Sequence, residues 1–161
     1  MDTHRDCRAT RRGLIGAIAT VSLIPLSGCS ALQPPNLEDL KISLEGFERP
    51  DINATTLLLP LVFELWNDGD SRIPESTIEF DALINGGHVA TADTNTPPIS
   101  ANDLTQTTVD LRIDFGDVAD QTLNAIRNGS FTLTAAGQLE ASGPLGLFSD
   151  SRSFQDQINV G

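Results

Sequence analysis

Thiols, imidazoles and converging carboxylates carry most side-chain chemistry, and in this chain the first two are scarce. Its 161 residues include two cysteines (Cys7, Cys29), two histidines (His4, His88) and no tyrosine. A nucleophile needs a base beside it, and that base needs an orienting partner. No Ser-His-Asp order follows Cys29, and His88, directly after Asn85-Gly86-Gly87, reads as a solvated hairpin histidine. The expectation is a protein that is not an enzyme and takes no cofactor. Carboxylates are abundant, and Asp68, Asp70 and Glu75 cluster around Gly69 in one loop. Such oxygens suit hard cations, but their spacing matches no calcium loop. The cluster reads as a solvated acidic turn, with no metal assigned. Glu79 with Asp81, and Asp110 with Asp114, recur at period two and read as solvated strand faces. No glycine-rich loop is placed to cradle phosphate.

Cys29 has another use. Arg11 and Arg12, followed by Gly13-Leu14-Ile15, read as a twin-arginine export motif. The apolar run Gly13–Leu26 has 14 residues, about 21 Å as a helix against a bilayer core of roughly 30 Å. It suits a signal h-region better than a permanent span. The run ends in Leu26-Ser27-Gly28-Cys29, which resembles the lipobox of bacterial and archaeal lipoproteins. That resemblance implies export, removal of residues 1–28, and lipidation of Cys29 as the mature N-terminus. With Cys7 removed, no internal disulfide remains. Residues 29–36 form the tether, stiffened by Pro34-Pro35, and 37–161 form the domain. The expected location is the extracytoplasmic face of the cell membrane, held through the lipid on Cys29. Stable anchoring needs two lipid chains, and a lipoprotein lipid supplies two.

Charge separates the two parts. The chain has net charge −12; the segment before Cys29 carries four arginines against two acids, and the remainder six basic residues against 20 acidic ones. A net −14 domain cannot neutralise phosphates, so nucleic acid is excluded as a partner. The same charge opposes adsorption on anionic lipid. A single lysine after Cys29, few aromatics and many acids point to a salt-adapted, haloarchaeal proteome. At molar salt the screening length is about 3 Å, and dense surface acid favours solubility at little electrostatic cost.

From Leu37 onward the apolar pattern has period two. Leu40, Ile42 and Leu44 alternate with Lys41 and Ser43; Leu57, Leu59, Leu61, Phe63 and Leu65 form one face of a run whose other face reads Thr56, Leu58, Pro60, Val62, Glu64 and Trp66; and the every-second-residue pattern continues over Ile78 through Ile84, Val109 through Phe115, and Phe131 through Leu139. This is the pattern of half-buried antiparallel strands. Asn67 to Ser71, Asn85-Gly86, Thr96-Pro97-Pro98 and Gly143-Pro144-Leu145-Gly146 supply turns, with a short strand around His88–Thr91 and a last strand over Leu147–Gln155. Pro60 places its stretch at an edge or a bulge. One helix is expected, capped by Asp117 and stopped at Asn128-Gly129. The fold class is all-β, an antiparallel sandwich of about seven strands with one short helix. Asn53-Ala54-Thr55 and Asn128-Gly129-Ser130 are N-glycosylation sequons at Asn53 and Asn128. Trp66 ends a strand on the face opposite the leucines, as rim packing or as an exposed aromatic contact.

The order of these features resembles the late embryogenesis abundant type 2 family, also called the water stress and hypersensitive response domain. Residues 57–66 match its long apolar strand, and 78–87 its strand ending in Asn-Gly. Asn67 to Pro74 stands where the family has Asn-Pro-Asn followed by Pro-Ile. Ile99-Ser100-Ala101-Asn102 matches its Ile-Pro-Ala-Asn/Gly entry to a strand, and 143–146 has a counterpart too. Asp68 and Gly69 replace the family's Pro and Asn, an exchange between turn formers. The resemblance implies a fibronectin-III/immunoglobulin-like sandwich and a role in desiccation or osmotic stress, protecting membranes or proteins. Fold alone does not fix that role. The alternatives are an interaction module for cell-envelope proteins and, ranked last, a lipid or apolar ligand carrier.

Overall fold

The computed structural model describes residues 34–161; Arg11, Arg12 and Cys29 lie outside the described residues. The strands are β1 (Leu40–Phe47), β2 (Asp51–Ile52), β3 (Thr56–Asn67), β4 (Ser76–Ile84), β5 (Gly87–Thr96), β6 (Asp103–Asp114), β7 (Phe131–Ser142) and β8 (Ser149–Val160), with helix α1 (Asp120–Asn128) between β6 and β7. They form two four-stranded sheets. In the first, β3 is central, with β1 and β2 on one side and β6 on the other; the second runs β5-β4-β7-β8. Every pairing is antiparallel. The expected all-β sandwich is therefore the observed one, and the strand beyond the expected seven is the two-residue β2.

Alternation builds the core as the pattern implies. Leu57, Leu59, Leu61, Phe63 and Leu65 of β3 are at most 4% exposed, and Ile78, Phe80, Ala82 and Ile84 of β4 at most 1%. Each large apolar side chain buried this way stabilises the fold by about 1.5–3 kcal/mol. Phe63 meets Phe80 at a centroid distance of 5.0 Å and Phe154 at 5.7 Å, separations typical of favourable tilted and edge-on ring pairs. Gly137 sits between Phe80 and Phe154 as cross-strand neighbour of both. A β-carbon there would fall onto the Glu79 carbonyl and the Phe80 backbone, so only glycine lets β7 approach β4 this closely.

Several boundaries differ from the sequence reading. Pro60 is not on an edge strand, since β3 is the centre of its sheet. It lies where β1 has ended, at Phe47 opposite Leu61, and β2 has not begun, at Asp51 opposite Leu58. Its carbonyl accepts from the Glu48 N–H. In a strand the N and O of one residue point the same way, so the missing N–H of Pro60 faces this gap rather than β6. Asp117 does not cap α1; it belongs to a 3₁₀ turn at Phe115–Asp117, and the helix starts after Ala119, whose carbonyl accepts from Thr122 and Leu123. Its stop is as expected, with Gly129 at φ 66°, a left-handed position that glycine fills without strain. The last strand begins at Ser149, not Leu147, and runs to Val160, while β5 continues to Thr96.

The hairpin between β4 and β5 turns on Asn85 (φ 49°) and Gly86 (φ 82°), the two positive φ values of a type I′ turn. Edges β1 and β8 are stitched together by side chains. Asp156 Oδ2 accepts from the Leu44 N–H at 2.9 Å, and Asp150 Oδ2 from the Leu37 N–H at 2.8 Å. On the opposite side β5 runs beside β6.

Candidate functional site

The loops at the end of the sandwich where β3 finishes and β6 starts converge on one buried amide. Asn67 is 1% exposed. Its Nδ2 donates to the Ser71 carbonyl at 2.8 Å and the Ser100 carbonyl at 2.9 Å, while its Oδ1 accepts from the Gly69 N–H at 3.1 Å. Ile73 and Ile99 exchange a pair of backbone bonds at 2.9 and 3.0 Å, and Asn102 N–H donates to the Gly69 carbonyl. Asn102 has φ 53°, a conformation open to Asn and Gly but costly for branched side chains. The Pro74 carbonyl accepts from Ser76 Oγ at 2.8 Å. Two stretches singled out by family resemblance, 67–74 and 99–102, are thus one knot. Beneath it lies a small apolar cluster of Leu37, Leu40, Leu65, Ile73, Ile99 and Leu139 with Ala141, apart from the main core. Its first member, Leu37, is 1% exposed, so the chain is anchored in the fold from the residue after Asn36.

The other sequence-flagged groups are scattered. Asp68 pairs with Lys41 at 3.1 Å on the surface. Among the described residues, no group of three or more His, Cys, Asp or Glu side chains could hold a metal ion. Asp114 pairs with Arg112 on its own strand. Asp81 lies across the β4–β5 hairpin from His88 and Thr91; its Oδ1 accepts from Thr91 Oγ1 at 2.7 Å and lies 3.3 Å from His88 Nε2. The Thr91 hydroxyl, and secondarily His88, hold the Asp81 carboxyl below the usual carboxylate range. Asn53 and Asn128 are both exposed. Asn53 folds its own loop, with Oδ1 accepting from the Thr55 and Thr56 N–H groups and Nδ2 donating to Thr56 Oγ1; Asn128 is the last residue of α1. Trp66 is half-buried on the outer face of the first sheet between Lys41 and Leu104.

At the far end of the sandwich, an apolar recess of about 160 Å³ opens between Phe47, Ile52, Leu59, Ile126, Phe131 and Val160. That is small beside the roughly 300–1,000 Å³ typical of small-molecule sites. Sequence reasoning missed three features: the Asp150 and Asp156 stitches, the recess, and the exposure of Leu145, Leu147 and Phe148. Only the last carried a signal, three large apolar residues inside a Gly-Pro turn.

No family model and no curated protein sequence matches the chain. Among solved structures, it is similar to the solution structure of AT1g01470 from Arabidopsis thaliana, with a TM-score of 0.52 and 16% identity, covering 74% of this chain and 77% of that one. A crystal structure of a protein from Archaeoglobus fulgidus aligns with a TM-score of 0.47 and 16% identity, over 76% of this chain and 94% of that one. The likeness to the Arabidopsis protein is one of fold.

Proposed function

We propose that this chain is an exported lipoprotein, tethered to the extracytoplasmic face of the membrane through a lipid on Cys29, whose late embryogenesis abundant type 2-like domain protects membranes or proteins during desiccation or osmotic stress. It works by non-covalent contact and without catalysis. The observation that carries the reading is the Asn67 knot: segments 67–74 and 99–102, recognised separately by their resemblance to that family, meet around one buried amide. The likeness to AT1g01470 supports the sandwich fold that this resemblance implies. Export and tethering rest on the order of Arg11-Arg12, the short apolar run and Leu26-Ser27-Gly28-Cys29. The size of the apolar recess disfavours a carrier of acyl chains. Charges at Asp110, Arg112 and Asp114 along β6 disfavour strand addition by an envelope partner at that edge.

Two experiments test it. A lyophilised enzyme dried with the protein is expected to keep more activity than with an equal mass of albumin; equal survival ends the protective reading. Fractionation of cells making Cys29→Ser is expected to move the protein out of the membrane fraction; an unchanged distribution ends the tether.

A further inference from the structure

The tip of the β7–β8 hairpin, Gly143-Pro144-Leu145-Gly146-Leu147-Phe148, departs from the rest of the surface. The ladder ends at Ser142 opposite Ser149, so these residues project beyond the sheet. None is charged, in a domain of net −14. Leu145 is 90% exposed, Leu147 64% and Phe148 44%. Leu145 also holds φ 62°, a left-handed conformation that a β-carbon disfavours. The fold thus holds a left-handed backbone at a residue whose apolar side chain it leaves in solvent.

The position of the tip indicates what it faces. Pro35 is buried, and a β-carbon built on Gly143 would lie 3.5 Å from Pro35 Cδ and 3.6 Å from Phe148 Cβ. Asp150, just past the tip, binds the Leu37 N–H. The chain leading back to Cys29 therefore leaves the domain at the base of this hairpin. Five residues lie between Cys29 and Pro35, and the six residue steps, fully extended, span at most about 20 Å. A lipid on Cys29 keeps the base of this hairpin within about that distance of the bilayer.

We propose that Leu145, Leu147 and Phe148 enter the interfacial layer of the membrane that holds the lipid, a second contact that sets which end of the domain faces the bilayer. This rests on the tethering reading above. The membrane is the occupant because the tether delivers it to this end of the molecule, and because an uncharged tip meets no headgroup repulsion while the acidic flanks would.

The test uses the exported, lipidated full chain carrying Leu145→Cys. Cys7 is then removed and Cys29 is a thioether, so position 145 is the free thiol. It takes an environment-sensitive nitrobenzoxadiazole label, and the protein is reconstituted into phosphatidylcholine vesicles with nitroxide-bearing acyl chains. Blue-shifted emission is expected, quenched several-fold more than the same label on Gln121→Cys in α1, at the opposite end of the sandwich. If vesicle-bound protein shows equal quenching at both positions, the inference is overturned and the tether stands. Label-to-label self-quenching at 145 with no nitroxide quenching makes a second copy the partner, and also overturns it. If the chain fails to float with vesicles, or if Cys29→Ser floats as well, the tether itself fails and the inference with it. The melting temperature of each variant, expected to match the parent at these exposed positions, reports folding.

Discussion

Asn67 shows how much one amide can decide. Truncation by Asn67→Ala strips the donor from two carbonyls and the acceptor from the Gly69 N–H. A loss of about 2–3 kcal/mol is expected in urea unfolding, because buried partners are left unsatisfied. Asn67→Asp, although nearly isosteric, should cost at least as much at neutral pH, since it turns a carboxylate oxygen toward two carbonyl oxygens. Asp81 offers a smaller test at the surface. Its carboxyl titrates below the ordinary range chiefly through the Thr91 hydroxyl. Thr91→Val should therefore raise the titration midpoint of Asp81 more than His88→Ala does, as followed by carbon-13 shifts of the side-chain carboxyl. Because the folded value is the lower one, the stabilisation is present above the unfolded-state midpoint and fades as pH falls through the folded one.

Among the elements, the β7–β4 approach is the least tolerant. Gly137→Ala sets a β-carbon against the Glu79 carbonyl and the Phe80 backbone, neither of which can rotate away. The expected cost is about 3 kcal/mol or more, read as a depressed urea midpoint or loss of the folded species. The sequence shows how this region is built only in part. Strands β1, β3, β4 and the second half of β6, from Val109, were legible because large apolar residues mark every second position, and the β4–β5 turn because Asn85-Gly86 tolerates positive φ. β5 looked shorter because its buried positions are Val89, Ala92 and Thr96, the last two small or polar. β8 was misplaced because Leu147 and Phe148, the most strand-like residues nearby, are exposed, while its half-buried residues Phe154, Ile158 and Val160 sit among polar ones. β2 consists of two exposed residues and leaves no periodic trace. In the candidate site, Asn67 and Pro74 were legible through resemblance. Asp150 and Asp156 were not, because an acid that binds a backbone amide across 112 or 113 residues looks in sequence like any other surface acid.

Across the whole molecule, 20 acids follow Cys29, while the described residues contain only two lysine or arginine ion pairs, Lys41–Asp68 and Arg112–Asp114, and the Asp81–His88 contact, all on the surface. Most of that negative charge is uncompensated, and self-repulsion of this kind destabilises a compact chain at low ionic strength. The urea midpoint should rise when sodium chloride is raised toward molar concentrations, where screening reaches about 3 Å. Chloride is the informative salt, since sulfate strengthens burial in any protein; a flat response to chloride would remove the case for salt adaptation.

Under the proposed role in desiccation, the stitched edge has a further consequence. Drying crowds identical chains together, and an open strand edge is where such chains begin to template one another into fibres. Asp156 occupies the outward amide of Leu44 and sets a negative charge on that rim, so an incoming strand finds its docking bond taken and its approach repelled. Asp156→Ser should leave a sandwich that gains thioflavin fluorescence through repeated drying and rehydration while the parent chain stays clear.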